Sequence, residues 1–141
     1  MYTKMQKNVK LSILTPEKAF FKGEVTQIIA ETPDGEMGIM ADHMPSIAVV
    51  SDSLLKVEEN GVWRSAALGQ GIMNVSSGGI EFFVDTAEWD EDIDVPRSQK
   101  ALQNAEERLR SGSLSHNEYL RTQTAVARAT ARLKTAHSIK H

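Results

Sequence analysis

The chain of 141 residues contains no cysteine. Disulfides, thiolate-ligated zinc and iron–sulfur clusters are therefore excluded, and the absence fits a reducing compartment. No apolar run is long enough to cross a bilayer, and Met1–Lys10 is polar and basic with no apolar stretch behind it. A soluble cytosolic chain is expected, without signal peptide or membrane-inserted segment, that reaches a membrane only through other proteins. The four histidines, at 43, 116, 137 and 141, show no metal-ligand spacing. No serine lies in a nucleophile-elbow pattern. Aromatic residues make up only 6% of the chain and none forms a stacking platform beside the arginines, which with a net charge of −3 argues against nucleic acid. Low-complexity segments and internal repeats are missing as well.

Basic residues are scarce in the first two thirds of the chain and acidic ones in the last third. Residues 1–94 carry 7 Lys/Arg and 16 Asp/Glu, a net −9, whereas residues 95–141 carry 9 and 3, a net +6. The acidic part is rich in Gly, Val and Ile with turn signals. The basic part is rich in Ala, Leu and Arg, with Gly only at 112 and Pro only at 96. An acidic β-type body with a basic helical tail points to two modules with different partners.

Strands are expected at Val9–Leu14, Val25–Glu31, Ile47–Val50, Leu54–Glu59, Val62–Leu68, Gly71–Val75 and Ile80–Val84, with a short apolar segment at Glu36–Met40. Thr32-Pro33-Asp34-Gly35 reads as a turn. Asn60-Gly61 is the strongest hairpin signal, because both residues tolerate the positive φ of a type I′ turn. Short strands at this spacing predict an antiparallel sandwich or barrel, two packed sheets being favoured. Strand character stops near Thr86, and 89–94 reads as an acidic connector after a body of residues 1–88.

Asp94 suits a helix N-cap with Pro96 in the first turn, and Gly112 suits the C-terminal position. Ser115–Glu118 has the capping-box pattern of a second helix. Tyr119, Val126 and Leu133, seven apart, with Ala129 and Ala136 beside them, mark its expected buried seam. Residues 95–141 thus read as an antiparallel helical hairpin. At ~0.8 kcal/mol per buried methylene, a seam so rich in alanine binds weakly, so the hairpin is expected to dock on something else and to detach.

Few residues suggest chemistry. The neighbours Asp42 and His43 can be read as half of a catalytic relay or as a loop at a protein contact. Gly69-Gln70-Gly71 and Gly78-Gly79 precede no helix, so they read as turns and not as phosphate cradles. Arg121, Arg128 and Arg132 lie along one side of the last helix and suit a solvated face, an anion or an acidic partner.

Taken together these residues resemble the ε subunits of F-type ATP synthases, over nearly the whole chain. The likeness runs through Leu14-Thr15-Pro16, the string from Gly35 to Pro45, Gly69-Gln70-Gly71 followed by Met73-Asn74-Val75, Asp85–Glu88 and Asp92–Arg97. The resemblance implies a ten-stranded antiparallel β sandwich followed by a two-helix hairpin. It implies a non-catalytic rotor subunit, peripheral on the cytoplasmic face of the bacterial membrane. The sandwich binds the γ subunit and the c-ring, with Glu36 at the c-ring face and His43 near γ. The hairpin extends to the catalytic β subunits and inhibits ATP hydrolysis, Arg121 being among its contact residues. No cofactor is required. A regulatory ATP is implied at Glu88, Ile93, Asp94, Arg97, Arg128 and Arg132, with Ile93 on the adenine, Asp94 accepting from its amino group, and the arginines on phosphate. Ser98 and Asn104 depart from the family's nucleotide motif, and Pro96 predicts a shifted helix start. A freestanding nucleotide-sensing module and an enzyme using Asp42 and His43 are the competing readings.

Overall fold

A computed structural model describes residues 8–32, 35–38 and 46–137, with only the backbone path for residues 32 and 35–38. Glu36 lies on the fourth strand, while Asp42 and His43 fall outside the described residues.

Among the described residues, ten strands form two five-stranded sheets. The first sheet contains β1 (Val9–Leu14), β2 (Ala19–Val25), β5 (Ser46–Val50), β8 (Gly71–Ser76) and β9 (Gly79–Val84), ordered β2-β1-β9-β8-β5. The second contains β3 (Gln27–Thr32), β4 (Gly35–Gly38), β6 (Ser53–Glu59), β7 (Val62–Leu68) and β10 (Ala87–Trp89), ordered β10-β7-β6-β3-β4. Alternate residues point inward, as the two-residue strand period requires. Leu11 and Ile13 of β1, Ile80 and Phe82 of β9, Ile28 of β3 and Leu55 of β6 meet in one buried core. Asn60 and Gly61 have φ of 53° and 78°, so the expected hairpin turn is present between β6 and β7.

Three features depart from the sequence reading. Strand β2 was not expected: its burial follows no strict alternation, and Gly23 interrupts it. The sandwich is not wholly antiparallel, because β1 pairs with β9 in parallel, Leu11 opposite Ile80 and Ile13 opposite Phe82. The expected connector begins inside the sandwich. Trp89 ends β10, opposite Ala66 of β7, and stacks on Phe20 at 4.6 Å while the Arg64 guanidinium lies 3.5 Å from its ring centroid. A short 3₁₀ turn at Asp90–Asp92 follows.

Helix α1 (Val95–Ser111) starts where its cap dictates: Asp94 Oδ1 accepts from the Arg97 backbone N–H at 3.1 Å. Pro96 does not displace that start. Gly112 ends the helix at φ 71°. Helix α2 (His116–Ala136) opens with the full capping box, Ser115 Oγ accepting from Glu118 N–H and Glu118 Oε1 from Ser115 N–H. Of its expected seam, Ala129 is buried and Val126, Leu133 and Ala136 are half-buried, but Tyr119 is not. Tyr119 is 44% exposed, and the buried residues are Thr122, Ala129, Ala131 and Thr135. Small side chains face inward because α2 has two neighbours, α1 on one side and strands β6 and β7 on the other.

Candidate functional site: the face between hairpin and sandwich

Helix α2 lies over the outer face of the second sheet. A cross-strand row there runs Glu31–Leu54–Ala67–Glu88 through β3, β6, β7 and β10. Leu54 and Ala67 are buried in it, at 2% and 6% exposure, so both faces of this sheet are covered. The cover is incomplete. An open cavity of about 390 Å³ lies between α2 and the sheet, lined by Leu54, Leu109, Val126, Ala127 and Ala131 among others. Apolar contact alone therefore holds the hairpin weakly.

Charge supplies the rest. Three sandwich segments present carboxylates to α2: Asp52 before β6, Asp85 after β9, and Glu88 on β10. Arg128 inserts between the first two. Its Nε lies 3.4 Å from Asp52 Oδ1, and its terminal nitrogen contacts Asp85 Oδ2. One turn on, Arg132 Nε donates to Glu88 Oε1 at 3.1 Å. The spacing of four between the arginines puts both on the face that meets the sandwich.

Local sequence builds this receptor. Gly69 N–H donates to Thr86 O at 2.8 Å and Asp85 N–H to Gln70 O at 2.9 Å, which ties the turn after β7 to the turn after β9. A side chain on Gly69 would collide with the Asp85 carboxyl, so the glycine makes room for it. Gln70 Nε2 donates to Asp52 Oδ2 at 3.4 Å. Gly69-Gln70-Gly71 is thus a turn, as expected, and its work is to place two carboxylates.

Asp52 is 5% exposed. Burial pushes its carboxyl above the ordinary aspartate range and Asp85 adds to this, while Arg128 and Gln70 pull it down. Arg128 Nε is buried without a hydrogen bond of good geometry. The pair is close in charge but not ideally joined.

On the other side of α2, a cleft of about 500 Å³ opens between the helices and the end of β10. Its walls include Glu88, Asp94, Arg97, Arg121, Arg128 and Arg132. The structure therefore brings together five of the six residues expected to hold ATP, and adds Arg121. Ile93 is the exception: it is 8% exposed and is not part of the cleft wall. A buried side chain packed into the protein offers no face to an adenine. Sequence reasoning missed Asp52 and assigned Asp85 no role. No local signal marks Asp52, because its partner Arg128 is more than 70 residues away and only the fold joins them. Among the described residues no cluster suits a metal ion, and no helix is long and apolar enough to cross a membrane.

A two-sheet sandwich with a helical hairpin held against it by arginines defines a two-module class of chain. The β-sandwich domain of the ATP synthase Delta/Epsilon chain family matches residues 8–90 and its long α-helix domain matches residues 91–137, so the chain belongs to that family. It is 42% identical to the ATP synthase epsilon chain of Ruminiclostridium cellulolyticum over 123 residues, 87% of this chain and 91% of that one. It is 38% identical to the ATP synthase epsilon chain of Caldanaerobacter subterraneus over 94% of this chain and 96% of that one. Its fold is similar to a chain in the cryo-EM structure of the Euglena gracilis mitochondrial ATP synthase, OSCP/F1/c-ring in rotational state 1, with a TM-score of 0.77, 23% identity, and coverage of 96% of this chain and 85% of that one.

Proposed function

We propose that this chain is the non-catalytic ε subunit of a bacterial F-type ATP synthase, part of the central stalk at the cytoplasmic face of the membrane. The sandwich holds γ and the c-ring. The hairpin rests on the sandwich, and on release reaches the β subunits and inhibits ATP hydrolysis. ATP in the interhelical cleft favours the resting form.

The observation that carries this reading is the clamp of Arg128 on Asp52 and Asp85 beside Arg132 on Glu88. Ion pairs over small, loosely packed side chains make a contact that can open without unfolding either module. The +6 tail then offers its arginines to an acidic surface. A second observation supports the partner role. Val49, Ile72, Phe83 and Leu14 stand opposite one another across β5, β8, β9 and β1 on the outer face of the first sheet. Val49 is 88% exposed and Phe83 39%, an apolar stripe that suits burial by another subunit.

The test is to assemble the complex with the intact chain and with one ending at Asp94, then measure ATP hydrolysis over a salt series. Faster hydrolysis without the tail, with the difference shrinking as salt rises, is expected. Equal rates at every salt concentration overturn the inhibitory role. Failure of the intact chain to co-purify with γ favours the freestanding nucleotide-sensing module instead.

A further inference from the structure

Helix α2 turns two opposite faces to two different cavities. Arg121, Arg128 and Arg132 line the cleft beside α1. Gln123, Val126, Ala127, Thr130, Ala131 and Lys134 line the cavity of about 390 Å³ between α2 and the second sheet. Their spacing is that of one helical stripe, roughly 16 Å long at ~1.5 Å per residue. Leu54 of β6 and Leu109 of α1 add to the wall.

We propose that this cavity binds a medium-chain fatty acid, with the chain between Leu54, Val126 and Ala127 and the carboxylate at Lys134. The site lies across α2 from the interhelical cleft and requires no nucleotide there. Its volume falls in the usual range for a small-molecule site. Leu54, Leu109, Val126, Ala127 and Ala131 make much of the wall apolar, and such a wall holds water poorly, so an apolar chain gains most by entering. A peptide suits it badly, because each backbone N–H and C=O would need a partner. Few polar side chains are in reach, and Gln123 is already engaged, donating to Tyr119 Oη at 2.9 Å. Charge selects the head group. Glu31 is paired with Lys56 at 3.3 Å and Asp52 with Arg128 at 3.4 Å, so these carboxylates of the wall are compensated. Lys134 is exposed and makes no ion pair with any described residue. It leaves an uncompensated positive charge at one end of the stripe, where an anionic head meets it. One wall belongs to the hairpin and the other to the sandwich, so the complete site exists only while the hairpin is docked. A bound fatty acid therefore stabilises the docked form by mass action.

The experiment titrates the full chain with octanoate, decanoate and decanol by calorimetry, below their micellar and solubility limits, and follows hydrogen exchange of α2 in the same samples. Decanoate is expected to bind about tenfold more tightly than octanoate, the scale of two buried methylenes. It should slow exchange in α2 about tenfold at about ten times its dissociation constant. Ala127→Phe fills the cavity and is expected to abolish binding with α2 still protected. Lys134→Gln, a change at an exposed side chain, should weaken decanoate about threefold, the scale of one exposed ion pair, and leave decanol unchanged. Excess ATP should leave the decanoate titration as it was. Wild-type affinity in Ala127→Phe overturns the site, and so does faster exchange of α2 with decanoate present. Displacement of decanoate by ATP would move the ligand to the interhelical cleft and overturn it as well. Unchanged decanoate affinity in Lys134→Gln overturns the placement of the carboxylate. A wild-type chain that binds no decanoate at millimolar concentration overturns the whole proposal, and leaves the reading of the chain's function where it stands.

Discussion

Asp52 and Arg128 meet across the boundary between the two modules, Nε to Oδ1 at 3.4 Å, with the carboxylate side chain only 3% exposed. Their contributions to the docked state are unequal. Burial already disfavours ionised Asp52 more than Arg128 favours it. Asp52→Asn removes a charge that pays for its own desolvation poorly, and Asp85 keeps its hold on Arg128. Arg128→Ala leaves two carboxylates facing each other with no cation between them. Loss of hairpin protection by about 3 kcal/mol is expected for Arg128→Ala and under about 1 kcal/mol for Asp52→Asn. Native-state hydrogen exchange of α2 separates the two. Equal losses would show that Asp85 contributes nothing.

The sandwich should tolerate removal of the hairpin only if β10 is kept whole. Trp89 stacks on Phe20, meets Phe21 edge-on at 6.0 Å and carries Arg64 on its face. A chain ending at Asp94 is expected to keep its far-UV spectrum and its melting transition. One ending at Glu88 should melt earlier by the equivalent of roughly 2 kcal/mol, the sum of an aromatic and a cation–π contact. Coincident melts for the two fragments would place the module boundary earlier, near Thr86.

Charge on the exposed apolar stripe should separate folding from assembly. Val49→Lys adds a cation to a position that is 88% exposed. Stability should move by no more than about 0.5 kcal/mol, while binding to γ drops at least tenfold. Binding measured on immobilised γ, beside a thermal melt of the variant, reads both. Wild-type affinity would mean that γ docks on another face.

Two groups make the helices respond to acid in opposite senses. Glu118 is held below the ordinary glutamate range, first by the Ser115 backbone N–H and then by the Ser115 side chain. Its folded value is depressed, so its contribution is present above 4.5 and is lost as pH falls through the lower folded value. Asp52 is raised, so its contribution is present below 3.8 and is lost as pH rises through the folded value. Ser115→Ala should lower helix stability by about 1 kcal/mol at neutral pH, and Glu118→Gln, which cannot ionise, should flatten the acid limb of the helical signal between about pH 5 and 3, which circular dichroism reads. An acid limb unchanged in the glutamine variant would show that the capping box is not what titrates.

Much of the architecture was legible because it is written in neighbours. The Asn60-Gly61 turn, the Asp94 cap, Gly112 and the Ser115–Glu118 box depend on residues within a few positions of one another, and each stands as expected. Strands bounded by clear turn signals, such as Val9–Leu14 and Val62–Leu68, match to the residue. Strand β2 and the three-residue β10 escaped notice because neither carries a period-two pattern of its own: both are held by pairing to a neighbour. The seam of α2 was placed only in part, at Ala129, because large residues were expected to face inward. Tyr119 and Leu120 face solvent, and threonine and alanine take the buried positions where two elements crowd the helix.

Local chemistry by itself determined where this chain turns, caps and changes from strand to helix, because those choices are settled over a few bonds by backbone preference and a single hydrogen bond. It also determined the division of charge, since that is a matter of composition. Which carboxylate each arginine meets was decided only by the tertiary structure. Asp52, Asp85 and Arg128 are distant in sequence, and no spacing rule relates them. They meet because β1 joins β9 in parallel, the turns after β7 and β9 are tied together, and α2 lies across β6 and β7. A Coulomb attraction of this kind acts over a few ångströms, so it exists only after the fold has brought its partners within reach.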